Sequence, residues 1–311
     1  MTMRVMMGTA GPQPATARRE ERATKQDLCG RRIAFTTPLT YAGRLSHLLR
    51  LRGAAPLSLP TVAVEPTPST LAALRPYLLA GTLDSFSAVA FTSRNGISAF
   101  SLALPDDDDT PPPLADSGEP FTVAALGKDA DLLREGDLLS RICRNPSRIR
   151  IIVPETASPA GLVESLGDGS GRRVLCPVPN VVDLEEPPVV ADFVADLEAA
   201  GWVGVRVPAY ETRWAGPRCA EEMARRRETD EEIDAIVFTS SAEVEGLMKG
   251  LHELGWDWKT VRRTWPEMVV AAHGPVTARG VERFGICVDV VSARFDSFDG
   301  VLDALASRWK N

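Results

Sequence analysis

Short apolar runs alternate along this chain with longer stretches whose apolar positions recur at helical spacing. The runs that predict strands are 33–35, 57–59, 88–91, 123–126 and 149–153 in the first half, and 174–176, 203–207, 235–238, 269–272 and 288–291 in the second. Each is short, rich in Val, Ile, Ala and Phe, and bounded by polar or glycine-containing segments, as expected of strands buried on both faces. Amphipathic stretches at 44–52, 242–254, 276–284 and 298–309 predict the intervening helices. Strand–helix alternation of this kind implies parallel sheets with helices on both faces. Five strands per half point to a flavodoxin-like, doubly wound α/β unit in each.

The two halves also match each other. Gly30-Arg31-Arg32-Ile33-Ala34-Phe35 is answered by Gly171-Arg172-Arg173-Val174-Leu175-Cys176, and Leu59-Pro60 by Val207-Pro208. Phe91-Thr92-Ser93 recurs as Phe238-Thr239-Ser240, and Ala124-Ala125-Leu126-Gly127 as Ala271-Ala272-His273-Gly274. A helical stretch, Gly161-Leu162-Val163-Glu164-Ser165-Leu166, returns as Gly300-Val301-Leu302-Asp303-Ala304-Leu305. Each match is weak alone, but they occur in one order with offsets that drift only by loop lengths. The pattern predicts an internal duplication, with two similar domains around a cleft.

Composition narrows the partners. The 311 residues are 44% hydrophobic and 25% charged, which is ordinary for a globular protein of two domains. A formal net charge of -7 argues against a nucleic-acid surface. The cluster Arg225-Arg226-Arg227 is surrounded by Glu221, Glu222, Glu228, Asp230, Glu231 and Glu232 and reads as a solvated helix face. Cys29, Cys143, Cys176, Cys219 and Cys287 contain neither a CxxC pair nor a zinc half-site, so a reducing compartment is expected. No apolar run approaches the roughly 20 residues of a membrane span. Residues 1–29 have no secretory h-region and are expected to be a disordered or transit-like extension, which leaves plastid stroma and cytoplasm both open. The segment 105–120, with Asp106 to Asp109 and Pro111-Pro112-Pro113, predicts a solvated low-complexity loop. The glycine-rich 167–171 precedes a strand instead of following one, and so reads as a turn and not a nucleotide loop.

Candidate chemistry gathers at strand ends. Thr92, Ser93, Thr239 and Ser240 stand where a strand gives way to a helix, where hydroxyls cap free backbone N–H groups. The same geometry places helix N-termini at the cleft edge of an α/β sheet, where they bind anions. Gly127 and Gly274, at two further strand ends, would let a ligand approach the backbone. His47 and His252 fall in helical patterns, whereas His273 adjoins Gly274 at a strand end. Neither a nucleophile triad nor a metal-ligand spacing is present, so chemistry without a cofactor, governed by positioning, is expected.

With these residues in view, the chain resembles the uroporphyrinogen-III synthase family. The resemblance rests on the strand-Phe-Thr-Ser segments, on Asp234-Ala235-Ile236-Val237-Phe238-Thr239-Ser240 and on Tyr210-Glu211-Thr212. It extends to Ala271-Ala272-His273-Gly274-Pro275-Val276-Thr277-Ala278 and Asp299-Gly300-Val301-Leu302-Asp303-Ala304-Leu305. It implies a discontinuous first domain of 30–61 plus 209–311, a second domain of 62–208, and extended crossings near 61–66 and 209–214. It also implies a monomer acting in tetrapyrrole (haem, chlorophyll or sirohaem) biosynthesis without metal or organic cofactor. The substrate would be hydroxymethylbilane, a linear tetrapyrrole bearing many carboxylates, closed with inversion of the last ring and loss of water. Tyr210 would be the acid that assists departure of the hydroxyl, with Thr92, Ser93, Gly127, Lys128, Thr239, Ser240, Gly274 and Thr277 holding the substrate. Two positions depart from the family pattern. Thr37 stands where an arginine is usual, and Ala130 where the match to Thr277 calls for a hydroxyl, with Lys128 a neighbouring cation that can bind a carboxylate. A catalytically silent tetrapyrrole- or anion-binding paralogue of the same fold is the alternative.

Overall fold

The computed structural model describes residues 26–105, 110–294 and 297–310. Most of the expected N-terminal extension and the Asp106–Asp109 run lie outside the described residues. The strands are β1 (Arg32–Phe35), β2 (Ala55–Ser58), β3 (Val62–Glu65), β4 (Ala88–Phe91), β5 (Phe121–Ala125) and β6 (Ile149–Ile152). The second half adds β7 (Arg173–Val182), β8 (Val203–Trp214), β9 (Ala235–Phe238), β10 (Val269–Ala272) and β11 (Val290–Val291). Among the described residues they form two sheets, one ordered β11-β10-β9-β1-β2 and one ordered β3-β8-β7-β4-β5-β6.

Matched by the sequence anchors, β7 corresponds to β1, β8 to β2, β4 to β9, β5 to β10 and β6 to β11. The two parallel cores then share one strand order, 2-1-3-4-5 in flavodoxin terms. Each sheet draws strands from both halves of the sequence: β1 and β2 join β9, β10 and β11, while β7 and β8 join β4, β5 and β6. The central strands β4, β9 and β10 are buried at every position, because helices cover both faces. On β9, Ile236 and Phe238 enter one core cluster while Ala235 and Val237 enter the other, the alternation that a pleated strand imposes.

The covering helices are α1 (Leu39–Leu51), α2 (Pro68–Leu74), α3 (Arg94–Ala103), α4 (Asp131–Glu135), α5 (Leu138–Ile142) and α6 (Pro159–Leu166). They continue with α7 (Pro188–Ala199), α8 (Glu221–Glu228), α9 (Ser241–Glu253), α10 (Trp258–Thr264), α11 (Pro275–Arg283) and α12 (Phe298–Arg308). The arginine cluster lies on α8, with Arg225 and Arg226 paired to Glu222 and Glu231.

The largest difference from the predicted elements is β8. Instead of ending at 207, it runs to Trp214 and pairs with β7 through Val182, with a register irregularity between Val178 and Pro179. The residues expected as an extended crossing at 209–214 therefore continue the sheet. The other crossing, β3, lies antiparallel along that extension, with Val62 opposite Trp214 and Glu65 opposite Glu211, and caps an otherwise parallel sheet. Prolines at 177, 179 and 208 hid this length, since proline normally interrupts a strand pattern.

Both crossings are tied to α9. Thr61 Oγ1 donates to the Glu243 carbonyl at 2.7 Å, and Trp214 Nε1 donates to the Gly246 carbonyl at 2.9 Å. Gly246 permits this approach, because a Cβ there would lie 2.5 Å from the Thr61 carbonyl oxygen.

Candidate functional site

The C-terminal ends of β4 and β9 face a space between the two sheets. At the first, Ser93 caps α3 by accepting the Gly96 N–H at 3.2 Å; at the second, Ser240 caps α9 by accepting the Glu243 N–H at 3.4 Å. Capping and cleft placement thus coincide. Tyr210 reaches the first cap from β8: its phenol oxygen is 2.8 Å from Ser93 Oγ, and only 6% of the residue is exposed. Burial pushes the Tyr210 phenol up to about 12, with the Ser93 hydrogen bond acting in the opposite direction. The side chain is therefore a neutral hydrogen-bond donor throughout the physiological range.

A second phenol comes from the other sheet. Tyr41, on α1, donates to Asn95 Oδ1 at 2.6 Å, two residues beyond Ser93. Together with Thr239, Ser240 and Glu243, the side chains of Tyr41, Asn95 and Tyr210 line a cavity of about 270 Å³. A neighbouring cavity of about 430 Å³ shares Pro38, Val62 and Val64 with it and continues past β3 towards Arg218.

Glu243 was not among the residues singled out from sequence. It is 1% exposed, yet its carboxylate accepts the Thr36 hydroxyl at 2.7 Å, the Thr239 backbone N–H at 2.9 Å and the Thr239 hydroxyl. Burial raises its pKa, opposed by the bonds from Thr239 and Thr36. The available signal was Ser240-x-x-Glu243, the spacing of a capping box; here the carboxylate reaches one residue further back, to Thr239 instead of the cap itself. Both donors of Thr239 are consequently engaged inside the protein. The equivalent residue in the first half is Gly96, where a Cβ would lie 3.2 Å from the Pro177 carbonyl oxygen. The two Phe-Thr-Ser segments share a backbone role but differ at this one position, and their chemistry differs with it.

The remaining sequence candidates occupy other strand ends. Thr92 is half-buried immediately before Ser93. Gly127 adopts φ +43, a left-handed value that suits glycine, and Lys128 after it is exposed. Asp129 lies 3.7 Å from Arg94 Nε; burial raises its carboxyl pKa and Arg94 opposes the shift. Ala130 is fully buried in the core, so no hydroxyl at that position could face a ligand without repacking. Gly274 precedes α11 in extended conformation, and Thr277 sits inside its first turn, 7% exposed, with Oγ1 donating to the Thr239 carbonyl at 3.2 Å. Thr92, Ser93, Gly127, Lys128, Gly274 and Thr277 do not line the cavity that holds Tyr210, Thr239 and Ser240, and Ser93 meets it only through its bond to Tyr210. Thr36, Thr37 and Pro38 close the end of β1 and are all buried. Among the described residues no group of three or more His, Cys, Asp or Glu side chains is placed to hold a metal ion, and no helix is long and apolar enough to cross a membrane.

Comparison with known proteins follows the same lines. The family model for uroporphyrinogen-III synthase HemD matches residues 43–301. A candidate uroporphyrinogen-III synthase of Methanothermobacter thermautotrophicus is 33% identical over 115 residues, covering 37% of this chain and 42% of that protein. The porphyrin biosynthesis protein HemD of Ruminiclostridium josui is 22% identical over 282 residues, 90% of this chain and 49% of that protein. This chain thus spans less than half the length of either of these two relatives. Among solved structures, a mutant uroporphyrinogen III synthase of the extremely thermophilic bacterium Thermus thermophilus covers 89% of this chain and 100% of its own, with 21% identity and a TM-score of 0.52, which shows a shared fold. The chain belongs to the uroporphyrinogen-III synthase family.

Proposed function

We propose that the protein closes hydroxymethylbilane to uroporphyrinogen III, inverting the last ring and releasing water, and that the space between the two sheets holds the substrate. The observation that carries this reading is the Tyr210–Ser93 pair at a cavity walled by both sheets, in a chain of this family. Uncatalysed closure proceeds without inversion, so the protein's main task is to hold the bilane in one folded geometry. Helix starts at the strand ends suit its carboxylates, and the exposed Lys128 adds a cation nearby. Tyr210, a phenol neutral at physiological pH, would donate to the departing hydroxyl. Ser93 orients that phenol while its backbone starts α3. Thr239 serves the site only by fixing the end of β9, because its N–H and hydroxyl are held by Glu243 and its carbonyl by Thr277.

The two sheets are read as two domains, one built on residues 30–61 with the chain after β8, the other on the segment between. The decisive experiment is product isomer analysis after incubation with hydroxymethylbilane. An excess of the III isomer over the spontaneous product supports the reading; the spontaneous isomer alone refutes it. The second reading, a silent anion-binding paralogue, draws on the internally satisfied Thr239 and the buried Ala130. It predicts that tetrapyrrole binds but no III isomer forms.

A further inference from the structure

The cavity of about 270 Å³ that holds Tyr41 and Tyr210 adjoins the one of about 430 Å³ along Pro38, Val62 and Val64, and together they fall in the ~300–1,000 Å³ range of drug-sized ligands. A tetrapyrrole is larger than such ligands, so the contacts that hold the two sheets together across this space bear on its entry. The contacts that bridge them differ in kind. On one side, Glu185 meets Arg283 at 3.1 Å and its N–H meets the Glu245 carboxylate at 2.9 Å, while Lys249 reaches the Asp183 carbonyl. The Glu185–Arg283 pair is exposed, and exposed ion pairs hold little. On the cavity side, Tyr41 of α1 bonds Asn95 of α3 in a part-buried setting. It brings a phenol from one sheet to the helix start that already carries the Ser93–Tyr210 pair of the other.

Resting on the functional reading above, we propose that Tyr41 is a ligand-facing positioning residue. Its phenol holds Asn95 while the cleft is empty and closed, and turns to a carboxylate of the bound tetrapyrrole when the cleft is filled. Three features support this. Tyr41 lines the same cavity as Tyr210. Its hydroxyl bonds a partner that is neutral and on the opposite wall, so the exchange leaves no buried charge behind. Arg94, beside Asn95, provides a cation for the arriving carboxylate, and its present partner Asp129 sits at a loose 3.7 Å. The two phenols then act from opposite walls, Tyr210 at the departing hydroxyl and Tyr41 at a carboxylate, and the site is complete only when both sheets contribute.

The test uses the full chain and its Tyr41→Phe variant, with Tyr77→Phe as the control, since Tyr77 packs edge-on against Phe86 away from the cleft. Solution scattering on the ligand-free proteins should show a more open distribution for Tyr41→Phe than for wild type, with similar thermal melting. Steady-state turnover of hydroxymethylbilane should show KM raised about two- to tenfold, one hydrogen bond's worth, with a smaller change in kcat. The Tyr77→Phe protein should match wild type in both. The proposal is overturned if Tyr41→Phe leaves either the scattering or KM unchanged. If wild type forms no III isomer, the functional reading fails by itself, and the scattering comparison alone still decides whether Tyr41 closes the cleft.

Discussion

The phenol oxygen of Tyr210 stands 2.8 Å from the hydroxyl of Ser93, 117 residues away along the chain. The pairing exists because β8 continues to Trp214 beside β7, carrying residue 210 past the end of β4 to the start of α3. Ser93 has two duties there: it accepts the Gly96 N–H and is hydrogen-bonded to the phenol.

Tyr210→Phe removes the phenol while leaving Ser93 its capping partner. Turnover is expected to fall with product affinity little changed, the mark of an interaction made chiefly in the chemical step. Stability should drop by about 0.5–1.5 kcal/mol. Stopped-flow turnover and product titration on the same variant check both; unchanged kinetics would remove Tyr210 from the chemistry.

Tyr210 also predicts an alkaline transition. Its folded pKa lies near 12, against an ordinary value near 10. Below pH 10 the phenol is protonated in both states and contributes no pH dependence. As pH rises from 10 to about 12 the unfolded chain loses this proton first, so stability falls, by up to roughly 3 kcal/mol. Denaturant titrations across that window should show a steeper loss for wild type than for Tyr210→Phe. Equal slopes would mean the phenol is not shielded from water.

Glu243 provides a test of the same sign at lower pH. Glu243→Ala leaves the Thr239 N–H and two hydroxyls without their acceptor in a site that is 1% exposed, and should destabilise by about 2–5 kcal/mol. Glu243→Gln keeps an acceptor and mimics the protonated acid. Because the folded pKa is raised, the wild-type carboxyl's contribution is complete below the unfolded pKa of about 4.3 and is lost as pH rises through the folded value. The Gln variant should therefore gain on wild type as pH increases from 4. A constant difference across pH would show that the fold does not displace the carboxyl's pKa, and a growing advantage for wild type would show that the fold favours the ionised form.

Ala130 and Thr277 occupy matched positions with unlike surroundings. Ala130→Thr inserts volume into a fully buried core site and should cost about 1–3 kcal/mol instead of adding a ligand contact. Thr277→Ala forfeits the bond to the Thr239 carbonyl and should lower stability by about 0.5–1.5 kcal/mol. Thermal melts of both variants, alongside product titration, separate packing from binding. A stable Ala130→Thr protein would show that the core there yields.

Gly246→Ala tests the seating of the crossings. A Cβ there meets the Thr61 carbonyl at 2.5 Å, and that oxygen already accepts the Ala215 N–H at 3.0 Å. The variant should push the two crossings off α9, with a lower melting temperature and a changed scattering profile. If both match wild type, the crossings are not held by that helix.

Features set by neighbours a turn or a pleat away were readable in the sequence alone. Ser93 and Ser240 cap their helices through N–H groups three residues on, and the buried runs of β4, β9 and β10 follow from apolar residues in a bounded segment. The ordered apolar runs marked strands that fall in one order in the two sheets, and the Phe-Thr-Ser segments marked two helix starts. The tertiary structure decided what those segments face. That β1 and β2 share a sheet with β9, that β8 outlasts its expected end, that Tyr41 meets Asn95 and that Glu243 turns back to Thr36 and Thr239 all depend on contacts between distant segments. Hydrophobic period and capping chemistry are local and leave their mark on adjacent residues. The partner of a side chain across a cleft is set by the path of the whole chain, and no window of sequence contains both ends of such a contact.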